Sequence, residues 1–206
     1  MLDWDPQGKP RFAAVVCHPH PLHGGTMHNK VVFRAAKAAW QAGLPTLRFN
    51  FRGVGKSTGS FSDGIGERED VTAALDYLGT RFPALPVCLI GFSFGACVGL
   101  RVGANDPRVV ALVGLGVPVS STNMDFLRGV LKPKLIIQGT RDQFGSRAQV
   151  ESFYGMLAEP KQLYWVQNAD HFFTGKLEEV QRAIREYLRS ELVQVEESRS
   201  RGSRSS

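Results

Sequence analysis

The stretch Val87-Cys88-Leu89-Ile90-Gly91-Phe92-Ser93-Phe94-Gly95, continuing into Ala96-Cys97-Val98-Gly99-Leu100, decides how this chain is read. A short apolar, β-prone run leads into Gly-x-Ser-x-Gly, and a helix-like segment leaves it. A strand that turns sharply into a helix strains the residue at the corner, and small neighbours let the backbone close around it. The Ser93 hydroxyl then projects from the turn, open to a substrate and a base. In a chain with 22 glycines the five-residue pattern is weak by itself. The flanking elements and partners elsewhere have to carry the reading.

Outward from this corner, short β-rich runs alternate with helix-like segments. Strands are expected at 12–17, 46–51, 87–91, 109–115, 134–138 and 163–166. Helices are expected at 29–41, 67–82, 94–103, 147–158 and 177–191, with a short one at 123–130. Asn29 reads as an N-cap and Gly43 as a helix stop. Val71, Ala74, Leu75 and Leu78 share one helix face. Such alternation predicts an α/β domain: a mostly parallel, doubly wound sheet of about six strands with helices on both faces. Ligands of such sheets sit beyond the carboxyl ends of the strands, at the switch point in strand order.

Length and composition agree. The 206 residues suit one domain, expected over 1–193, and 43% apolar residues suffice for a sizeable core. Residues 194–206 are Ser- and Arg-rich and are expected to be disordered. No apolar run approaches the roughly 20 residues that span a bilayer. With no signal-type stretch at Met1-Leu2-Asp3-Trp4-Asp5, no membrane association and a cytoplasmic location are expected. The three cysteines, Cys17, Cys88 and Cys97, fit a reducing compartment and read as small core residues. The net charge of +6 is spread among acidic residues without a one-sided stripe, so nucleic acid is not an expected partner.

A serine hydroxyl needs a base to act as a nucleophile. Four of the five histidines crowd the N-terminal third, and the fifth, His171, follows the sixth expected strand. A histidine in that role needs an acid to hold its tautomer. Asp142, in Gly139-Thr140-Arg141-Asp142, follows the fifth strand. Asp170 is the rival acid, but it adjoins His171, and adjacent side chains rarely converge. The order Ser93, Asp142, His171 is the one expected with this kind of corner. A developing oxyanion needs N–H donors. One is expected from Phe94 and one from the loop His18-Pro19-His20-Pro21-Leu22-His23-Gly24-Gly25-Thr26-Met27-His28. Pro19 and Pro21 lack an N–H, which leaves His20 first and Leu22 second. That loop has no Asp, Glu or Cys to complete a metal site, so its histidines read as packing and hydrogen-bonding residues, and no metal or organic cofactor is expected. The stretch Arg52-Gly53-Val54-Gly55-Lys56-Ser57 lacks phosphate-loop spacing and reads as a turn-rich loop beside the site.

With these parts placed, the chain resembles the α/β-hydrolase superfamily over about residues 10–190. More narrowly it is similar to small cap-less bacterial serine hydrolases with an H-P-H-P-x-x-G-G-T-M-x-N-K loop, here 18–30, and it resembles dienelactone hydrolases in size. Arg48-Phe49-Asn50-Phe51-Arg52-Gly53-Val54-Gly55-Lys56-Ser57, Gly91-Phe92-Ser93-Phe94-Gly95, Gly139-Thr140-Arg141-Asp142 and Ala169-Asp170-His171-Phe172-Phe173 also match. The resemblance implies hydrolysis of small carboxylic esters through an acyl-enzyme, with thioesterase or amidase/peptidase chemistry as the nearest alternative and a catalytically silent binding scaffold as the distant one. It also implies that the six strands correspond to the superfamily's third to eighth, ordered 2-1-3-4-5-6. The missing first pair leaves the 46–51 strand near an unpaired edge, a pairing hazard. That edge is expected to be covered by a partner copy in a homodimer, or by residues preceding the given start. The interval from Val117 to Pro133 is too short for a cap, so a shallow pocket for short-acyl substrates is expected.

Overall fold

The computed structural model describes residues 1–5, 7 and 9–202, with side chains as far as Glu191. Its centre is a seven-stranded sheet in the order β1-β3-β2-β4-β5-β6-β7. The strands are β1 (Leu2–Asp3), β2 (Ala13–Cys17), β3 (Thr46–Arg48), β4 (Val87–Phe92), β5 (Val109–Leu115), β6 (Lys134–Gly139) and β7 (Lys161–Val166). Strands β2 to β7 run parallel in the expected order, and only β1 is antiparallel.

The central strands β2, β4 and β5 are apolar on both faces because helices cover both. Ala14, Val16, Cys88, Ile90 and Phe92 face one core layer with α1 (Lys30–Gln41) and α5 (Leu177–Gly202). Ala13, Val15, Cys17, Val87 and Leu89 face the other, with α2 (Gly66–Arg81), α3 (Phe94–Asn105) and α4 (Arg147–Gly155). Asn29 caps α1 as its sequence suggested, its side chain accepting from the Val31 and Val32 N–H groups, and Gly43 takes the left-handed φ of 89° that ends the helix. Ser146 and Gln149 form a capping box on α4.

Three expectations shift. The 46–51 strand ends at Arg48, because Asn50 and Phe51 turn out of the sheet to bond the loop after β2, at Met27 and His18. The helix expected at 123–130 is a single 3-10 turn, Asp125–Leu127. The last helix runs past Glu191 to Gly202, into the stretch expected to be disordered, and the rest of that stretch, 203–206, lies outside the described residues.

The edge beside β3 is the correction. Where a partner copy or preceding residues were expected, the chain's own first residues lie along it. Leu2 pairs with Leu47 and Asp3 with Thr46. The Arg48 N–H donates to the Met1 carbonyl at 2.9 Å, and the Arg48 guanidinium meets Asp3 at 3.1 Å. A two-residue strand has no period to read in sequence, and its place is set by the edge it finds. No cap domain interrupts the fold; residues 116–133, between β5 and β6, carry only the 3-10 turn. Among the described residues no helix is long and apolar enough to cross a membrane.

Candidate active site

The corner between β4 and α3 is as tight as the glycines imply. Ser93 sits at φ 55°, ψ −120°, a region costly for any residue with a side chain. A Cβ on Gly91 would overlap the Gly95 carbonyl oxygen and lie 2.5 Å from the Ala96 Cα. One on Gly95 would overlap the Cys17 carbonyl oxygen and lie 2.5 Å from that of His18. The first glycine lets the helix fold back over its own strand, and the second lets it seat against the end of β2.

The loops after β4, β6 and β7 bring three polar side chains together. The Ser93 hydroxyl donates to His171 Nε2 at 2.9 Å, and His171 Nδ1–H donates to Asp142 Oδ2 at 2.8 Å. Asp142 and His171 are 5% and 3% exposed, so this line of hydrogen bonds runs inward from the surface into a water-poor interior. The acid loop and the histidine loop are tied directly: the Arg141 N–H donates to the Ala169 carbonyl and the Asn168 N–H to the Thr140 hydroxyl. His171 packs between Phe92, Phe144 and Phe172, with ring centroids 5.1, 4.6 and 5.3 Å away.

Asp170, the rival acid, turns away from this line. Its Oδ1 accepts from the Phe172 and Thr174 N–H groups at 3.1 and 2.9 Å, and the Thr174 bond holds its carboxyl below the usual range. Gln138 is a residue of this hydrogen-bonded line that sequence reading missed. It is fully buried in β6, donates through Nε2 to Asp142 Oδ2 at 2.8 Å, and accepts the Val117 N–H at 2.8 Å. With the Phe144 N–H on Oδ1 at 2.8 Å, Asp142 receives a donor on each oxygen besides His171. Gln138 reads as one more strand residue in sequence; only the pairing of its two amide atoms reveals it.

The two candidates in the first loop differ in their hydrogen bonding. The Leu22 N–H is taken, donating to His20 Nδ1 at 3.2 Å. The N–H groups of His20 and Phe94 have no hydrogen-bond partner among the described residues. Burial, and next the neighbouring His23, push the His20 imidazole below its ordinary pKa, with Glu67 and Asp63 opposing. His18 is fully buried and wholly engaged: Nδ1–H donates to the Pro19 carbonyl at 2.7 Å, and Nε2 accepts the Phe51 N–H at 2.9 Å. Desolvation takes its pKa down to about 4. Among the described residues no group of three or more His, Cys, Asp or Glu is arranged to hold a metal ion. The Arg52 loop is bound to α2 by paired bonds to Asp70 at 2.9–3.2 Å.

Ser93 and His171 open onto a pocket of about 480 Å³ walled by Pro19, His20, Phe94, Pro118, Phe144 and Phe172. Cys97, Arg68 and Arg101 also line it, which sequence reading did not foresee. Burial pushes the Cys97 thiol up to about 11, and it lies 3.5 Å from the Ser93 carbonyl, a small half-buried wall residue. Cys17 and Cys88 are buried in the two core layers.

A parallel sheet with one antiparallel edge, a strained serine at the strand–helix corner and acid and imidazole after later strands define an α/β hydrolase. The chain belongs to that family: the model described as "Alpha/beta hydrolase domain" matches residues 13–190. It is similar to an uncharacterized protein of Rickettsia prowazekii, 38% identical over 184 residues, covering 85% of this chain and 77% of that one. An α/β serine hydrolase homologue from Coxiella burnetii is similar in structure, with a TM-score of 0.86 and 39% identity over 91% of this chain and 90% of that one. So is a lidless α/β serine hydrolase from Xanthomonas campestris, with a TM-score of 0.83 and 34% identity over 91% and 86%.

Proposed function

We propose that this chain hydrolyses small carboxylic esters, with Ser93 as nucleophile, His171 as general base and acid, and Asp142 as the group that orients His171. The observation that carries this reading is the pair of bonds, 2.9 Å and 2.8 Å, linking the strained Ser93 through His171 to buried Asp142.

The steps follow from the protonation states. With Asp142 accepting from Nδ1, the proton of neutral His171 sits there and Nε2 is free to take the Ser93 proton. Ser93 Oγ attacks the ester carbonyl carbon, and the carbonyl π electrons move onto oxygen. That oxyanion is met by the Phe94 and His20 N–H groups, which make no bond among the described residues that would have to break first. His171 gives the proton to the leaving alkoxide, the acyl–oxygen bond breaks, and an acyl-Ser93 remains. Water then loses a proton to His171, attacks the acyl carbon and releases the acid, and the proton returns to Ser93 Oγ. The open pocket, without a cap, suits short acyl groups.

A fluorophosphonate probe tests the nucleophile: Ser93 is labelled in the intact protein and labelling vanishes in Ser93→Ala. Undiminished labelling of that variant would falsify the assignment. A series of aryl esters of rising chain length tests the substrate class, with kcat/KM highest for the shortest acyl groups; a maximum at long chains overturns that part. Matched thioesters and amides place the leaving group.

A further inference from the structure

The Pro19–His20 peptide carries the one oxyanion donor that does not come from the elbow, so what fixes its orientation matters. A trans peptide holds its C=O and N–H on opposite sides, so pinning the carbonyl aims the N–H. One bond pins this carbonyl, and one glycine makes room for it. His18 Nδ1–H donates to the Pro19 oxygen at 2.7 Å. Gly25 lies against it so closely that a Cβ there would overlap the Pro19 oxygen and lie 2.5 Å from the carbonyl carbon.

The tautomer of His18 is itself determined. The Phe51 N–H donates to Nε2 at 2.9 Å, so Nε2 carries no proton and a neutral ring must hold its proton on Nδ1, toward Pro19. The ring is fully buried and stacks edge-on against Phe51 at 4.7 Å, and Phe51 meets Phe94 in the same way at 5.7 Å. His18 therefore joins the loop after β2 to the turn after β3, and that turn to the residue after the nucleophile. It touches neither the pocket nor Ser93.

We propose that His18 is a positioning residue: its imidazole clamps the Pro19–His20 peptide with the carbonyl held inward and the His20 N–H presented to the oxyanion. The proposal rests on the serine-hydrolase reading above. Without the clamp the peptide is free to rotate, and the donor is present for only part of the time.

The substitutions separate the two bonds of the ring. In His18→Asn the amide nitrogen falls near Nδ1 and still reaches Pro19, while the Phe51 contact is lost. In His18→Gln the amide reaches the position of Nε2 and the Phe51 N–H, and Pro19 is released. Removing one oxyanion donor lowers kcat by roughly 100- to 1,000-fold, so His18→Gln and His18→Leu are expected to lose kcat by about 10- to 100-fold with KM within about twofold. His18→Asn recovers most of that loss. Should His18→Leu fail to fold, the Asn and Gln pair still decides.

A readout independent of turnover is the ¹H shift of the His20 amide. It moves downfield when a fluorophosphonate adduct places its phosphoryl oxygen in the hole of the unsubstituted protein and of His18→Asn, and stays in place in His18→Gln. Equal kcat and an equal amide shift in the Asn and Gln variants overturn the clamp while leaving the nucleophile intact. Absence of labelling in the unsubstituted protein overturns the underlying reading and the clamp with it.

Discussion

The elbow and the first loop each carry a backbone N–H, of Phe94 and of His20, without a partner among the described residues, yet they hold it by opposite means. At the elbow the conformation is stored in one residue: Ser93 at φ 55°, bracketed by two glycines that allow the close approach. In the first loop the one positive φ, 74°, falls on Gly24, which has no side chain to strain. Its donor is held by a network instead, with the His18 bonds to Pro19 and Phe51, the Met27 N–H on Asn50 at 2.8 Å, and the His20 carbonyl accepting from His23 and Gly25. Strain localised at one position concentrates its cost and its sequence signal there. A network spreads both over residues far apart in the chain.

The largest effect probes the elbow's side chain. Ser93→Ala should lower kcat on a short-acyl aryl ester by about a million-fold, the scale on which triad members act as a unit, and His171→Ala should do nearly the same. Stopped assays on the purified variants check this, and retention of more than about a hundredth of the activity would be incompatible with the scheme. Gly95→Ala probes the seam where the elbow rests on the loop. A methyl there meets the Cys17 and His18 carbonyls, which are backbone and cannot step aside, so a loss of about 3 kcal/mol is expected in denaturant unfolding.

The network should show itself in pH. Burial holds folded His18 near pKa 4, below the ordinary 6.5, so between these values the unfolded chain binds the proton that the folded chain refuses. Its contribution is therefore complete above pH 6.5 and declines as pH falls toward 4, by about 3 kcal/mol in all. Comparing unfolding free energies at pH 7 and 4.5 for the protein and His18→Asn isolates this part; parallel losses in both proteins would refute it. Gln138→Leu affects neither donor. Releasing the buried amide from Asp142 removes a hydrogen bond to a charged group, worth about 1.5–3 kcal/mol, so kcat should fall by roughly 10- to 100-fold while the His20 amide shift stays unchanged. The smallest effect sharpens the idea of stored strain: Ser93→Gly should be about 1 kcal/mol more stable than Ser93→Ala, because glycine alone occupies that φ freely. Equal melting temperatures would place the strain elsewhere.

The same contrast explains what could be read in advance. The elbow, the capped α1 and the six parallel strands were legible because periodicity, glycines and cap residues are local signals. Ser93, Asp142 and His171 were legible because each follows its own strand, and parallel topology brings those ends to one edge. Gln138 was not, since an amide in an apolar strand gives no sign of its two partners. The 46–51 run has strand composition throughout, yet Phe49 to Phe51 leave the sheet to meet the first loop. Leu2–Asp3 was not legible either, because two residues have no pattern and their pairing depends on an edge made more than forty residues later.

By itself the sequence determined the layer architecture, the corner at Ser93 and the residue types and order of the site, since these follow from side-chain period and backbone sterics within a few residues. Tertiary structure decided that the Leu22 N–H is engaged while the His20 N–H has no partner among the described residues, which acid faces His171, and what covers the β3 edge. Each is a competition for hydrogen bonds between groups distant in the chain. The winner is fixed only when packing brings those groups within about 3 Å of one another.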